Sequence, residues 1–358
     1  MSTKFCLISS SYDFILCLMK YEQPLISVCI PLYETEIFLA DCLRSVMLQD
    51  FDFFEVVIVS DDSLGRDQKG RPAKKIIKVC DKEFNKERKT RGLLPVQVRF
   101  IEHHENRGLI EVRRTLCYEA RGLYMTQVDS DDQMEEGALK ALYQTAKESG
   151  ADIVHGTSRA GVFEENGTFI AAKENRYGNI FYGKVEGRDV FHKWLIDGIF
   201  TANTWGKLIK RELWLRAYEN IPYTECNMAD DLLLFFFLAQ YATSYVGIEN
   251  KVYRYRVNTG MSSHRRIDSF QKWKMICSTA SVFTVLSTWI SENPDALQED
   301  EILNIRKRTS YYLKNNLLQL REAVVPELQE QAHKMLCDYW GQDFVSKVEK
   351  SGEMSYNK

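Results

Sequence analysis

The chain has 358 residues, enough for one large domain, or a domain with an appendage, around a substantial buried core. Hydrophobic residues at 45%, aromatics at 12% and charged residues at 27% exclude a collagenous or disordered chain, and a formal net charge of -3 gives no global attraction to nucleic acid. Nine cysteines at 6, 17, 29, 42, 80, 117, 226, 277 and 337 form no CxxC pair, which argues against zinc knuckles and a compact disulfide framework and points to a reducing cytoplasm.

Phe5 to Met19 is apolar, but it carries Asp13 and several serines and is too short to span a bilayer. Lys4 alone is a weak n-region and no small-residue cleavage site follows, so the segment does not read as a secretory signal. Met19 reads as a natural start, with residues 1–18 an N-terminal extension.

From Ile26 to Ile30 the run ISVCI, capped by Pro31, predicts a short buried strand, and IFLADCLRSVMLQ follows with apolar residues at helical spacing. Val56 to Val59 predict a second strand that ends in Ser60, Asp61, Asp62 and Ser63. Residues 72–90 read as a basic helix, Val96 to Ile101 as a third strand and Leu109 to Ala120 as another helix. A fourth strand, Tyr124 to Val128, again ends in acid at Asp129, Ser130, Asp131 and Asp132, before a helix from about Glu135 to Ser149. Alternating strands and helices imply an α/β fold, a mostly parallel sheet with helices on both faces. Ligands bind beyond the carboxyl ends of such strands, so the two acidic clusters share one cleft. After Asp152, IVHGTSRAGVF and TFIAA flank the turn signal Asn166-Gly167 and predict antiparallel strands. Residues 267–349 are mainly helical by period, punctuated near Pro294 and Pro326, and read as a C-terminal helical appendage.

The DSDD cluster carries the most chemistry. Carboxylates at i and i+2 past a buried strand can converge on a divalent cation that takes its remaining ligands from phosphate oxygens and water. The plainer reading is a solvated turn capping the next helix. Asp61 and Asp62 suit recognition of a base, since a carboxylate accepts the N3 proton of uracil; as bland turn residues they would need no ligand.

Taken together and in order, ISVCIPLYETE, EVVIVSDDS, NRGLIEVRR and GLYMTQVDSDD resemble the consecutive signature blocks of family 2 glycosyltransferases, over about residues 25–260. A fifth block, NMADDLLLFFFLAQYA, resembles the family's acid-Asp pair at a helix start. The resemblance implies a GT-A, Rossmann-like domain over 19–262, with a nucleotide-binding half at about 25–135, an acceptor half at about 150–262 and a helical region at 263–358. It implies an inverting transfer of a hexosyl or N-acetylhexosaminyl group from a nucleotide diphosphate sugar, with UDP the expected carrier, to an acceptor hydroxyl. By position, Pro31 and Tyr33 would line the base pocket, Asp62 would bind the base beside Asp61, and Arg113 would lie near the nucleotide. Asp131 would ligate Mn²⁺ or Mg²⁺, with Asp129 on the ribose or the metal and Asp132 supporting the loop. Asp231 would be the general base, with Asp230 capping the helix; capping by both is the competing reading. Trp205 could face a sugar or simply pack in the core, and Arg256, His264 and Arg265 could reach the diphosphate from a loop, with a surface or capping role the plainer reading of His264.

The chain departs from the family pattern at Glu34, where Asn is common, at Ser63-Leu64, where Gly-Ser is usual, and at Asp230, where Glu is commoner. Residues 66–91 hold eleven Lys or Arg against four Asp or Glu, which reads either as a solvated helix face or as a contact for anionic lipid. DxD phosphatases expect Thr or Val two residues past the second Asp, and Gln133-Met134 supplies neither. A sugar-nucleotide-binding or scaffolding protein of the same fold would lack the base. The expected setting is surface glycan or polysaccharide biosynthesis in the cytoplasm, peripheral to the inner face of the cell membrane, with a glycan or lipid-linked acceptor.

Overall fold

All seven residues of Ile26–Leu32 (β1) and all eight of Phe54–Asp61 (β2) are buried, the pattern of strands covered on both faces. The computed structural model, which describes residues 23–164, 167–172, 178–257, 259 and 266–350, shows how that happens. Even-numbered β1 residues such as Val28 and Ile30 pack beneath Glu36–Met47 (α1) and Ala73–Thr90 (α2). Cys29, with Val57 and Val59 of β2, faces Leu109–Glu119 (α3) on the other side.

β1 runs parallel to β2 and to Tyr124–Gln127 (β4), and β2 runs parallel to Gln97–His103 (β3). The sheet continues through Gln133–Met134 (β5), Ile153–Phe163 (β6), Phe169–Ala171 (β7), Gly183–Glu186 (β8), Lys207–Lys210 (β9) and Ser244–Arg256 (β10). Its order is β3-β2-β1-β4-β9-β6-β10-β5, with β7 beside β6 and β8 beside β10. The expected hairpin pairs β6 with β7 antiparallel, while β6 also pairs parallel with β10. The helix expected from about Glu135 begins later, at Ala138–Ser149 (α4). Residues 133–134 are used instead as a strand against β10, and the Glu135 carboxylate takes Arg159 and Arg254.

One of the eleven basic residues of 66–91 is no surface group. Arg88 is fully buried and donates to the carbonyls of Met47, Gln49, Phe51 and Leu94 and to the Asp52 carboxylate, pinning α2 to the turn after α1.

Asp189–His192 (α5), Arg211–Asn220 (α6) and Asp230–Tyr241 (α7) cover the second face, followed by Phe270–Cys277 (α8), Thr279–Glu292 (α9), Glu299–Glu322 (α10), Gln329–Trp340 (α11) and Gln342–Lys350 (α12). A boundary at 262 does not follow a break in the core. Val282, Phe283, Leu286, Trp289 and Ile305 share one apolar cluster with Cys29 and Val57, and Phe236 and Phe237 of α7 stand edge-on to Trp289 at 5.4 and 5.5 Å. Only the distal part, from Leu313 onward, builds a separate cluster with Ile267, Trp273 and Cys277. The described cysteines are free and buried, and among the described residues no helix is long and apolar enough to cross a membrane.

Candidate active site

The ends of β1, β2 and β4 open into a cavity of about 580 Å³. Backbone conformation marks its rim. Among the described residues, the non-glycine positions in left-handed conformation are Glu34 (φ 52°), Asp62 (56°) and Ala229 (60°), on the turns after β1 and β2 and before α7. Each such residue costs about 1–3 kcal/mol, and such costs concentrate where a site must be held in one shape.

The turn after β4 is fixed by its third carboxylate. Asp132 is buried; Tyr253 Oη donates to its Oδ2 at 2.8 Å and the Arg256 N–H to its Oδ1 at 2.6 Å. Burial, then Asp131 and Asp129, push its pKa well above the usual carboxylate range. With Asp132 thus occupied, Asp129 and Asp131 face the cavity. Burial pushes Asp129 up to about 7; Arg113 opposes this, while Asp131, Asp231 and Asp230 add to it. The Thr259 hydroxyl donates to Asp131 Oδ2 at 2.8 Å. Among the described residues no three carboxylate, imidazole or thiolate groups form a metal cage. Two carboxylates on one turn, in a cavity that Asp230 and Asp231 also line, fit a hard cation that shares its shell with phosphate oxygens.

Arg113, on α3, gathers the acids from two elements. Its buried guanidinium hydrogen-bonds Asp231 Oδ1 and lies 2.9 Å from Asp230 and 3.8 Å from Asp129. Burial alone would lower its pKa; the three carboxylates outweigh that and raise it. The two adjacent aspartates at the start of α7 then separate by exposure. The Asp230 side chain is 8% exposed and that of Asp231 31%. Burial, opposed by Arg113 and reinforced by Asp231, pushes Asp230 up to about 6. Asp231 Oδ1 is held by Arg113, with the Thr204 hydroxyl oxygen 3.4 Å away. A partly exposed carboxylate with one anchored oxygen has the form of an oriented base.

The remaining expected residues divide. Pro31, Tyr33 and Trp205 line the cavity, and Trp205 stacks on Tyr253 and Tyr255 with centroids 4.8 and 5.5 Å apart. Asp61 also lines it, yet its carboxylate is engaged by His103 Nδ1 at 2.7 Å and by the N–H groups of Arg107 and Gly108 at 3.0 and 2.9 Å. It therefore ties the end of β2 to the start of α3. Asp62 is exposed and is not among the lining residues. Arg256 is likewise outside the lining, donating to the Asp131 carbonyl at 2.8 Å between the rings of Phe38 and Phe163. His264 and Arg265 lie outside the described residues.

Sequence reading missed three contributions. Thr204 donates to Gln127 Oε1 at 2.8 Å beneath the site. Lys207 is fully buried, with Nζ 2.5 Å from the Asn203 carbonyl and over the Phe235 ring at 5.2 Å; burial pushes it down to about 7, with Asp231 opposing. Its signal was a lysine in an inward-facing run, KLIK. The third is a wall formed by Glu225, Asn227 and α8.

Residues 27–204 match the family model described as Glycosyl transferase family 2. The chain is 26% identical over 248 residues to Glycosyltransferase GlyG of Streptococcus pneumoniae, covering 68% of this chain and 74% of that protein. It is 27% identical over 243 residues to Glycosyltransferase GlyA of the same organism, covering 66% of this chain and 31% of that longer protein. The solved structure of S. aureus TarS 1-349 in complex with UDP-GlcNAc is 18% identical, with 93% of each chain covered and a TM-score of 0.49.

Proposed function

We propose, given that this chain belongs to glycosyltransferase family 2 and is a glycosyltransferase, that it transfers a sugar with inversion from a UDP-sugar to an acceptor hydroxyl, with Asp231 as base. The observation that carries this is the convergence of Asp129, Asp131 and Asp231 on one cavity, with Arg113 joining Asp129 to Asp231. The acceptor hydroxyl gives its proton to Asp231 as its oxygen attacks the anomeric carbon from the face opposite the departing diphosphate. Arg113 holds Asp231 Oδ1 so that the carboxylate keeps one orientation. Mn²⁺ or Mg²⁺ on Asp131 and Asp129 would neutralise charge on the diphosphate leaving group. Pro31 and Tyr33 line the part of the cavity offered to the base, while Asp61, engaged by His103 and two backbone N–H groups, holds the turn beneath it.

UDP with Mn²⁺ is expected to raise the melting temperature more than GDP, ADP or CMP, because a ligand at about a hundredfold its Kd stabilises the native state by about 2.7 kcal/mol. Equal shifts from all four would remove the uracil reading. In Asp131→Asn the metal-dependent part of the shift should vanish while the fold persists, since this side chain is half-buried at the cavity and not in the core.

A glycan or lipid-linked acceptor at the inner face of the membrane fits the exposed face of α2. Lys74, Lys75, Lys78, Lys82, Lys86 and Lys89 are all exposed. At about 100° per residue they fall within an arc of about 120°. A basic face gains about 1 kcal/mol per charge at an anionic surface. Sedimentation with phosphatidylglycerol vesicles should exceed that with phosphatidylcholine, weaken with salt, and fall in Lys78→Glu/Lys82→Glu/Lys86→Glu. Equal sedimentation with both lipids would leave a solvated face.

A further inference from the structure

The family match ends at residue 204, yet much of the cavity wall comes after it. Helix α8 turns Trp273 and Cys277 inward, where the Trp273 indole donates to the Ala332 carbonyl at 2.8 Å, and turns Gln271, Lys274 and Met275 to the cavity. Facing them is the turn that leads into Asp230 and Asp231. Lys274 Nζ lies 2.9 Å from Glu225 Oε1, and the Asn227 N–H donates to Ser278 Oγ at 3.1 Å. The Leu109 N–H donates to Asn227 Oδ1 at 3.3 Å, so this turn is clamped between α8 and α3 beside the base.

We infer that Gln271, Lys274 and Met275 of α8, with Glu225, form the acceptor subsite, and that it selects a neutral sugar residue over one carrying a carboxylate or phosphate. This rests on the donor reading above, in which the nucleotide occupies the ends of β1, β2 and β4. The wall that adjoins Asp231 and belongs to none of those strand ends is left for the acceptor.

Charge decides the class. Asp61, Asp129, Asp131, Glu225, Asp230 and Asp231 line the cavity, and among the described lining residues the cations are Arg113 and Lys274. Arg113 is committed to three aspartates and Lys274 to Glu225. An anionic sugar would meet like charge and take Lys274 only by stranding Glu225. A neutral pyranose has hydroxyls that donate to Glu225 and the Gln271 carbonyl and accept from Lys274 and the Gln271 amide, while Met275 offers apolar contact to a ring face. Discrimination then arises from repulsion of the wrong acceptor as much as from attraction of the right one.

Saturation-transfer NMR with UDP and Mg²⁺ present tests this, using p-nitrophenyl β-glucoside, β-galactoside, N-acetyl-β-glucosaminide and β-glucuronide as probes. At least one neutral glycoside should show contact at its ring protons, and the glucuronide about tenfold less, the ratio of about 1.4 kcal/mol of discrimination. In Lys274→Ala/Gln271→Ala the neutral signal should fall by a similar factor, with the UDP-plus-metal thermal shift unchanged; both side chains are exposed, so the fold should tolerate the change. A glucuronide signal equal to the neutral ones, contact by none of the probes, or an undiminished signal in the variant would each overturn the proposal. Loss of the UDP shift in the variant would place α8 on the donor side and overturn it as well. Absence of a UDP shift in the parent would instead sink the donor reading.

Discussion

Asp231→Asn should bind UDP and metal as the parent does and transfer sugar at least about 10²-fold more slowly, the loss expected when a positioned general base is removed. The amide keeps the shape and can still accept from Arg113 through its carbonyl oxygen, but it cannot take a proton from the acceptor at neutral pH. A fall in kcat with an unchanged UDP thermal shift separates base function from donor binding. The adjacent Asp230→Asn is the control. Its carboxyl is buried and directed at Arg113, so it lacks the opening to an acceptor that Asp231 has. That variant should lose less in transfer and more in thermal stability. Parental turnover in Asp231→Asn, with loss in Asp230→Asn, would shift the base by one residue. Parental turnover in both would leave the pair as helix caps.

The sheet and the two acidic clusters were legible because their signals are local. A buried strand reads as an apolar run, and a carboxylate just past it must lie at the strand's carboxyl end whatever the rest of the chain does. The division of labour inside each cluster was not legible, because adjacent identical residues differ only in what surrounds them. Asp61 and Asp62 part because one accepts the N–H groups of Arg107 and Gly108 while the other turns outward at positive φ. Asp132 parts from Asp129 and Asp131 through Tyr253, which lies far along the chain. Arg113 was expected beside the nucleotide from its block alone; that it binds Asp230 and Asp231 depends on α3 and α7 packing together. The wall from α8 has no motif at all, since a helix with Trp273 and Cys277 on one side announces only that its other side is polar. The C-terminal helices were read as an appendage for a related reason: periodicity finds a helix and not its neighbour, and Trp289 meets Phe236 and Phe237 only in three dimensions.

Arg113→Met is expected to be the most destabilising single change at the site, by about 3–5 kcal/mol near neutral pH, because it removes the cation from a buried ionic cluster and leaves its carboxylates uncompensated. The pH dependence distinguishes this cause from lost packing. In the parent, burial already holds Asp230 at about 6, above its unfolded value of about 3.9, with Arg113 as the group that opposes the rise. A carboxyl raised in the folded state binds more protons there than when unfolded, so its contribution favours folding as pH falls and is lost as pH rises through the folded value. Without Arg113 that folded value moves higher still. The variant should therefore gain more stability than the parent on going from pH 8 to pH 5, and the gap between them should narrow. Arg113→Lys should recover part of the loss by restoring charge without the planar fork that reaches acids on both α7 and the β4 turn. Denaturant unfolding of all three proteins at the two pH values, without added metal, measures the gap directly. A deficit of the same size at pH 5 and pH 8 would mean that Arg113 acts through packing alone, and no deficit at either would mean that the acidic cluster does not need it.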